Sequence, residues 1–148
     1  MIRVFRDPVF GPVIAFGTGG RHLEIFRDRA VSLPPLNRFL ARNLIDSTRV
    51  SRTLSEFHNR PAADIEAVEN VLLSVSNMIC ELPWISEMDI NPLIVDENNA
   101  VAVDARITIE NMPLTAGRYD HMAIHPYPSH LETGYQAKDG TQVRIRPI

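Results

Sequence analysis

Cysteine is nearly missing from this chain. Cys80 stands alone among 148 residues, so no intramolecular disulfide can form and no cysteine-based zinc site can be built. That scarcity fits a reducing, cytoplasmic setting. Lysine is equally scarce: Lys138 is the only one, and arginine supplies the rest of the 15 basic residues. Long apolar runs are missing too, since no stretch approaches the roughly 18 residues a membrane-spanning helix requires. The opening "MIRVFRDPVF" carries Arg3, Arg6 and Asp7 where an export signal needs unbroken apolar sequence. A formal net charge of -3 with a pI near 5.9 provides no overall basic field, which argues against nucleic acid and anionic membrane as partners. Local arginine clusters remain able to bind phosphate.

What is present reads as one globular domain, 45% hydrophobic and 22% charged. Residues 2 to 33 form the runs "IRVF", "PVIAF", "HLEIF" and "AVSL", broken by "RDP", "GTGG" and "RDR". Their period of two predicts antiparallel strands. After Pro34 and Pro35, "LNRFLARNLI" predicts a helix with Leu36, Phe39, Leu40 and Leu44 on one face. The polar stretch that follows leaves room for a short helix before Pro61. From about Ala62 to Cys80, Ile65, Val68, Val71, Leu72 and Met78 recur at helical spacing, with Pro61 suited to the first turn and Pro83 to the stop. "SEMDINPLIVDENNAVAVDARI", residues 86–107, then predicts a strand, a turn at Asp96 to Asn99, and a second strand from Ala100. The fold class is therefore α+β, a mainly antiparallel sheet packed with two or three helices over residues 1–110. Residues 111–142 hold three of the seven glycines and read as an extended linker. "VRIRPI", 143–148, reads as the first strand of a following domain that is cut short.

The hairpin carries the chemistry. Glu87, Asp89 and Asn91 alternate with Met88, Ile90 and Pro92, so the two acids and the amide share one strand face. A symmetric turn between Glu97 and Asn98 opposes Val95 to Ala100, Leu93 to Ala102, Asn91 to Asp104 and Asp89 to Arg106. Opposed residues have Cβ atoms about 4.5–5.5 Å apart, so Asn91 and Asp104 can share one hard cation such as Mg²⁺. On spacing alone, a solvated face with an Asp89–Arg106 cross-strand pair stands equally open. The stretch "FGPVIAFGTGGR" gathers Gly11, Gly17, Gly19 and Gly20, which suits either phosphate contact or a tight hairpin turn. It is neither a Walker motif nor a dinucleotide fingerprint. His121 and His125 have zinc-like spacing, but no Glu follows His121 and Pro126 follows His125, which argues against a zinc-protease helix. His22 and His58 have no evident partners. Cys80 belongs to the buried side of its helix, and Trp84 and the methionines to packing.

"DPVFGPVIAFGTGG" and "ELPWISEMDINPLIVDENNAVAVDARI", in this order and spacing, resemble the C-terminal half of the ATP-grasp domain of ADP-forming acyl-CoA synthetases, the acetate–CoA ligase group. The resemblance covers roughly residues 4 to 110, and "LPPLN" and "LLSVSNMICELP" fit it. It implies that Asn91 and Asp104 bind Mg²⁺ and the ATP or ADP phosphates, and that Asp89 faces a phosphorylated histidine that shuttles phosphate between sites, with Glu87 as an outer helper. Gly17, Gly19 and Gly20 resemble the family's glycine turn at the nucleotide. The parent enzyme would interconvert acyl-CoA, ADP and phosphate with acid, CoA and ATP. Its partners would be the other ATP-grasp half, which carries the adenine pocket and a phosphate-binding lysine, and the CoA-binding and ligase modules with the catalytic histidine. The isolated chain is expected to be inactive, and oligomerisation stays open.

"HMAIHPYPSHLE" and "VRIRPI" are similar to the junction in bacterial fusions of this module with a GNAT acetyltransferase domain, which resemble protein lysine acetyltransferases. The alternative that this resemblance leaves open is a module that senses nucleotide or acyl-CoA, or organises oligomers, without turnover.

Overall fold

The computed structural model describes residues 1–20, 28–54, 61–111, 119–128 and 131–147. Alternation near the start produces β1 (Ile2–Asp7), β2 (Gly11–Gly17) and β3 (Arg29–Ser32). β1 and β2 pair antiparallel with Ile2 opposite Phe16 and Val4 opposite Ile14, and all four side chains are buried on one face. The expected strand "HLEIF" lies outside the described residues. Later in the chain come β4 (Ile85–Ile90), the short β5 (Leu93–Val95) and β6 (Ala100–Ala102), and β7 (Ala105–Ile109). β4 joins β1 through Ile2–Ile90 and Val4–Met88, and β7 pairs with β4. The outcome is a five-stranded antiparallel sheet ordered β3-β2-β1-β4-β7, while β5 and β6 form a separate two-stranded ribbon.

Helices cover the face that carries Ile2, Val4, Ile14, Met88 and Ile90. α1 (Arg38–Asp46) starts where the Asn37 side chain accepts the Leu40 N–H, which satisfies one of the free amides of the first turn. It buries Ala41, Leu44 and Ile45, whereas Phe39, expected on the inner face, is 70% exposed. The inner face follows the i, i+3, i+4 row from Ala41, which turns position 39 to solvent. A single turn, α2 (Ser51–Leu54), supplies the short helix expected before Pro61. α3 (Ile65–Glu81) begins at Asp64, not at Pro61, because the Asp64 carboxylate accepts the Ala67 N–H at 2.9 Å. It buries Val68, Leu72, Val75, Ile79 and Cys80, and Val71 and Met78 fall to its flanks.

Two polar ties hold α1 to α3. The hydroxyl of fully buried Ser76 accepts the Leu36 N–H at 2.8 Å, and buried Glu69 pairs with Arg42 at 2.5 Å. Each satisfies a group that would be costly to bury alone.

The range read as a linker is more structured than its composition suggested. Met122 is buried, the His121 ring bonds the Ile79 carbonyl at 3.0 Å, and the Tyr119 hydroxyl donates to Glu81 at 3.0 Å, so residues 119–122 dock at the end of α3. β8 (Thr133–Gln136) lies inside the same range and pairs with β9 (Gln142–Ile145), so the "VRIRPI" strand closes a hairpin within the chain. "TGYQ" has no apolar alternation to announce a strand; its pairing with β9 makes it one. All eight strand residues of this hairpin are exposed.

Leu72 is fully buried between α1, α3 and the sheet. Leu72→Ala is expected to lower unfolding free energy by about 2–5 kcal/mol, measured by urea denaturation, with an unchanged denaturant slope.

Candidate functional site

The hairpin register inferred from its turn is the register the backbone adopts. Leu93 opposes Ala102, Val95 opposes Ala100 and Asp89 opposes Arg106. Asp96 closes the turn, its carboxylate accepting the Asn98 and Asn99 N–H groups at 2.8 and 2.9 Å. Between ribbon and sheet the pairing does not slip: the Asn91 N–H donates to the Asp104 carbonyl and the Val103 N–H to the Pro92 carbonyl, both at 3.0 Å. Asn91 and Asp104 therefore stand directly across from one another, where the hairpin leaves the sheet.

Met88 and Ile90 point into the core, which turns Glu87, Asp89 and Asn91 to the opposite face. Glu87 is exposed, and Asp89 and Asn91 are half-buried. Pro92, expected beside Met88 and Ile90, is exposed, because the sheet ends at Ile90 and the chain leaves it through a cis Asn91–Pro92 peptide. Asp89 lies between Arg3 of β1 and Arg106 of β7 in register. The Asp89–Arg106 ion pair weighed from spacing is not formed. Arg106 reaches Asp104 at 3.6 Å instead, and one Asp89 carboxylate oxygen is buried without a hydrogen-bond partner. The Arg106–Asp104 pair is exposed on both sides and contributes little to stability.

The glycine turn meets this strand directly. The Gly20 N–H donates to Asn91 Oδ1 at 2.8 Å, from a backbone with φ of +82° that favours glycine. A side chain at Gly19 would crowd the same Asn91 oxygen at 3.0 Å. Gly17 passes so near the Asp28 backbone that a Cβ would lie 2.1 Å from the Asp28 carbonyl oxygen. Gly19 and Gly20 thus enclose the Asn91 amide, and Gly17 seats the turn against the start of β3.

Sequence reasoning passed over Asp28 and Thr18. "RDR" reads as a break between strands, yet its acid accepts three hydrogen bonds. They come from the Arg49 N–H at 2.7 Å, the Val50 N–H at 2.8 Å and the Thr18 hydroxyl at 2.9 Å. Burial works against ionisation, but the Arg49 amide, the Thr18 hydroxyl, the Val50 amide and the nearby Arg49 charge outweigh it. Asp28 titrates below the ordinary value of 3.8. An acid eight residues beyond the glycine turn, in a segment with no core side chain to place, was the only signal available.

His121 and His125 are not on a helix, and His130 lies outside the described residues, as do His22 and His58. Among the described residues no group of three or more His, Cys, Asp or Glu converges on a metal position. Asn91 and Asp104 nonetheless stand opposed with oxygen-bearing side chains, and Asp89 beside them on the strand has one buried oxygen without a partner. That suits a hard cation taking one or two protein groups and completing its shell with water and phosphate.

A mainly antiparallel sheet with helices on one face and a glycine turn against an Asn-Pro strand defines the class: the chain belongs to the ATP-grasp domain family, whose model matches residues 1–109. Within that family it is similar to the β subunits of two ADP-forming acetate–CoA ligases of Pyrococcus furiosus. It is 34% identical to that of ligase I over 109 residues, and 38% identical to that of ligase II over 113. Each match takes in 74% of this chain and 47% or 48% of the relative, so the chain spans about half the length of the subunits it resembles. Among solved structures it resembles the dinucleotide-forming acetyl-coenzyme A synthetase 1 of Ca. Korarchaeum cryptofilum in complex with coenzyme A and Mg-AMPPCP, its phosphohistidine segment pointing towards the nucleotide-binding site. The TM-score is 0.71 at 36% identity, over 74% of this chain and 51% of that one. An apo form of the same enzyme gives 0.70 at 36% identity, over 74% of this chain and 52% of the other. No helix among the described residues is long and apolar enough to cross a membrane.

Because the Asp28 value is lowered in the folded state, its contribution to stability is complete above the unfolded value and is lost as pH falls through the folded one. In urea denaturation, wild type is expected to exceed Asp28→Asn in stability at about pH 6, the gap narrowing below about pH 4. A gap that widens with acid would contradict this sign.

Proposed function

We propose that this chain is one wall of the magnesium–nucleotide site of an ADP-forming acyl-CoA synthetase, in which Asn91 and Asp104 hold the metal against the ATP or ADP phosphates. The observation that carries the reading is the contact of two motifs 71 residues apart, the Gly20 N–H on Asn91 Oδ1, with Asp104 paired across the strand from it. One lone pair of the Asn91 oxygen is occupied by Gly20, which leaves the other for a cation. Magnesium, when bound, neutralises phosphate charge as the phosphoryl group moves.

The side chains of this chain orient and balance charge. Asn91 and Asp104 fix the position of the phosphate end of the nucleotide, and Gly17, Gly19 and Gly20 bring backbone close to it. Asp89, with a buried oxygen lacking a partner, faces the incoming phosphohistidine segment, and exposed Glu87 assists from the rim. The acyl and CoA pockets and the histidine would be supplied by other modules, and the remaining ATP-grasp half would close over the nucleotide.

Residues 1–110 are the C-terminal subdomain of this ATP-grasp unit, and the segment from 111 leads to a following domain of the GNAT acetyltransferase type, whose first strand, placed by sequence at 143–148, pairs with Thr133–Gln136 and so takes that strand with it. The reading of the tail rests on "VRIRPI" and its preceding stretch alone. The parent would then be an acid–CoA ligase, a protein lysine acetyltransferase, or both.

Two measurements test the site. Calorimetry of the 148-residue chain with Mg²⁺–ADP is expected to show weak binding or none; tight, EDTA-sensitive binding would count against a half-site. In a full-length parent that turns over, Asn91→Ala and Asp104→Ala are each expected to cut phosphoryl transfer by about 100-fold or more. Unimpaired turnover in the double variant would remove both residues from the site.

A further inference from the structure

The group that holds the Asn91 amide oxygen is a backbone N–H from a distant turn, that of Gly20. A glycine turn with positive φ has little intrinsic preference for one shape, so something must hold Gly20 in place. The turn is tied at its start. The Thr18 N–H donates to the Asp28 carbonyl at 3.1 Å, and the Thr18 hydroxyl donates to Asp28 Oδ2 at 2.9 Å. Asp28 is in turn anchored by the Arg49 and Val50 amides, where the chain passes from α1 to α2. The connection runs from the helical layer through Asp28 and Thr18 to Gly20 and ends on the Asn91 oxygen.

We infer that Asp28 and Thr18 form a latch that positions the glycine turn, so that the Gly20 N–H orients the Asn91 amide oxygen toward the cation. Neither residue touches the metal or the nucleotide; both are positioning residues. The inference rests on the metal reading of Asn91 and Asp104 for its functional consequence, but the latch itself is a matter of hydrogen bonds within this chain.

The geometry separates two roles of Asp28. Its bonds to Arg49 and Val50 support the helical connection, and a variant that removes them all confuses latch with fold. Thr18→Val removes only the hydroxyl that reaches Asp28, keeps the side-chain volume and leaves both amide bonds of Asp28 in place. Thr18→Ser restores the hydroxyl without the methyl group.

The test uses the ¹⁵N-labelled 148-residue chain and Mn²⁺ as the probe. In wild type, Mn²⁺ should broaden the amide signals of Gly20, Asn91 and Asp104, including the Asn91 side-chain NH₂. In Thr18→Val the Gly20 amide resonance should move upfield as its hydrogen bond weakens. The Mn²⁺ concentration for half-broadening at Asn91 should rise about three- to tenfold, the worth of one hydrogen bond. Thr18→Ser should restore both readouts, and Thr18→Val should melt only a few degrees below wild type, as the loss of one hydrogen bond requires. A Gly20 resonance and Mn²⁺ dependence unchanged in Thr18→Val would overturn the latch. Absence of Mn²⁺ broadening in wild type would overturn the functional consequence, an Asn91 oxygen presented to a cation by this wall alone, and the Gly20 resonance in Thr18→Val and Thr18→Ser would still decide the latch.

Discussion

Antiparallel pairing between the two arms of the last hairpin of the sheet is the constraint on which the site depends. The arms belong to the sheet at one end and to a free ribbon at the other, and only the bonds at Asn91 and Val103 carry register across the gap. A slip of one residue would exchange the two faces. Met88 and Ile90 would then leave the core as Asp89 and Asn91 entered it. The hydrophobic pattern of β4 thus fixes which polar groups face outward, and packing under the helices decides the chemistry on the other side.

The helical layer acts on the site by a second route. α1 and α3 are joined by apolar contact and by two satisfied polar groups, Ser76 and Glu69. Beyond α1 the backbone amides of Arg49 and Val50 bind Asp28, whose neighbours are the glycine turn and β3. The face of the sheet that buries its side chains and the face that presents them are therefore linked at its edge as well as through its strands.

Much of this was legible in the sequence where a repeating pattern specified it. The alternation of Met88 and Ile90 with Asp89 and Asn91, and the turn at Asp96, were enough to give the register of β4 to β7. Local choices between competing signals were less legible: Pro61 and Asp64 both suit a helix start, and the side-chain hydrogen bond of Asp64 decides between them. Phe39 was misplaced because a helix of nine residues offers several apolar rows, and only the sheet beneath selects one. The contact of Gly20 with Asn91 spans 71 positions and involves a backbone donor, so no spacing rule reports it. The hairpin of β8 and β9 escaped for a related reason, since "TGYQ" has strand character only in the presence of its partner.

β7 forms one border of the five-stranded sheet, and its five residues are all exposed. Ile107 and Ile109 oppose Met88 and Ile85, so they continue the core face past the reach of the helices, at 49% and 67% exposure. Val101 and Val103 extend the apolar row towards the ribbon. Such an edge offers unpaired backbone and β-branched side chains together, the combination that templates strand addition between copies. Arg106 and Asp104 interrupt it with charge and serve as gatekeepers. The same two charged side chains that guard this edge against strand addition also rim the site proposed for the cation, so neutralising them would trade solubility along with any chemistry there.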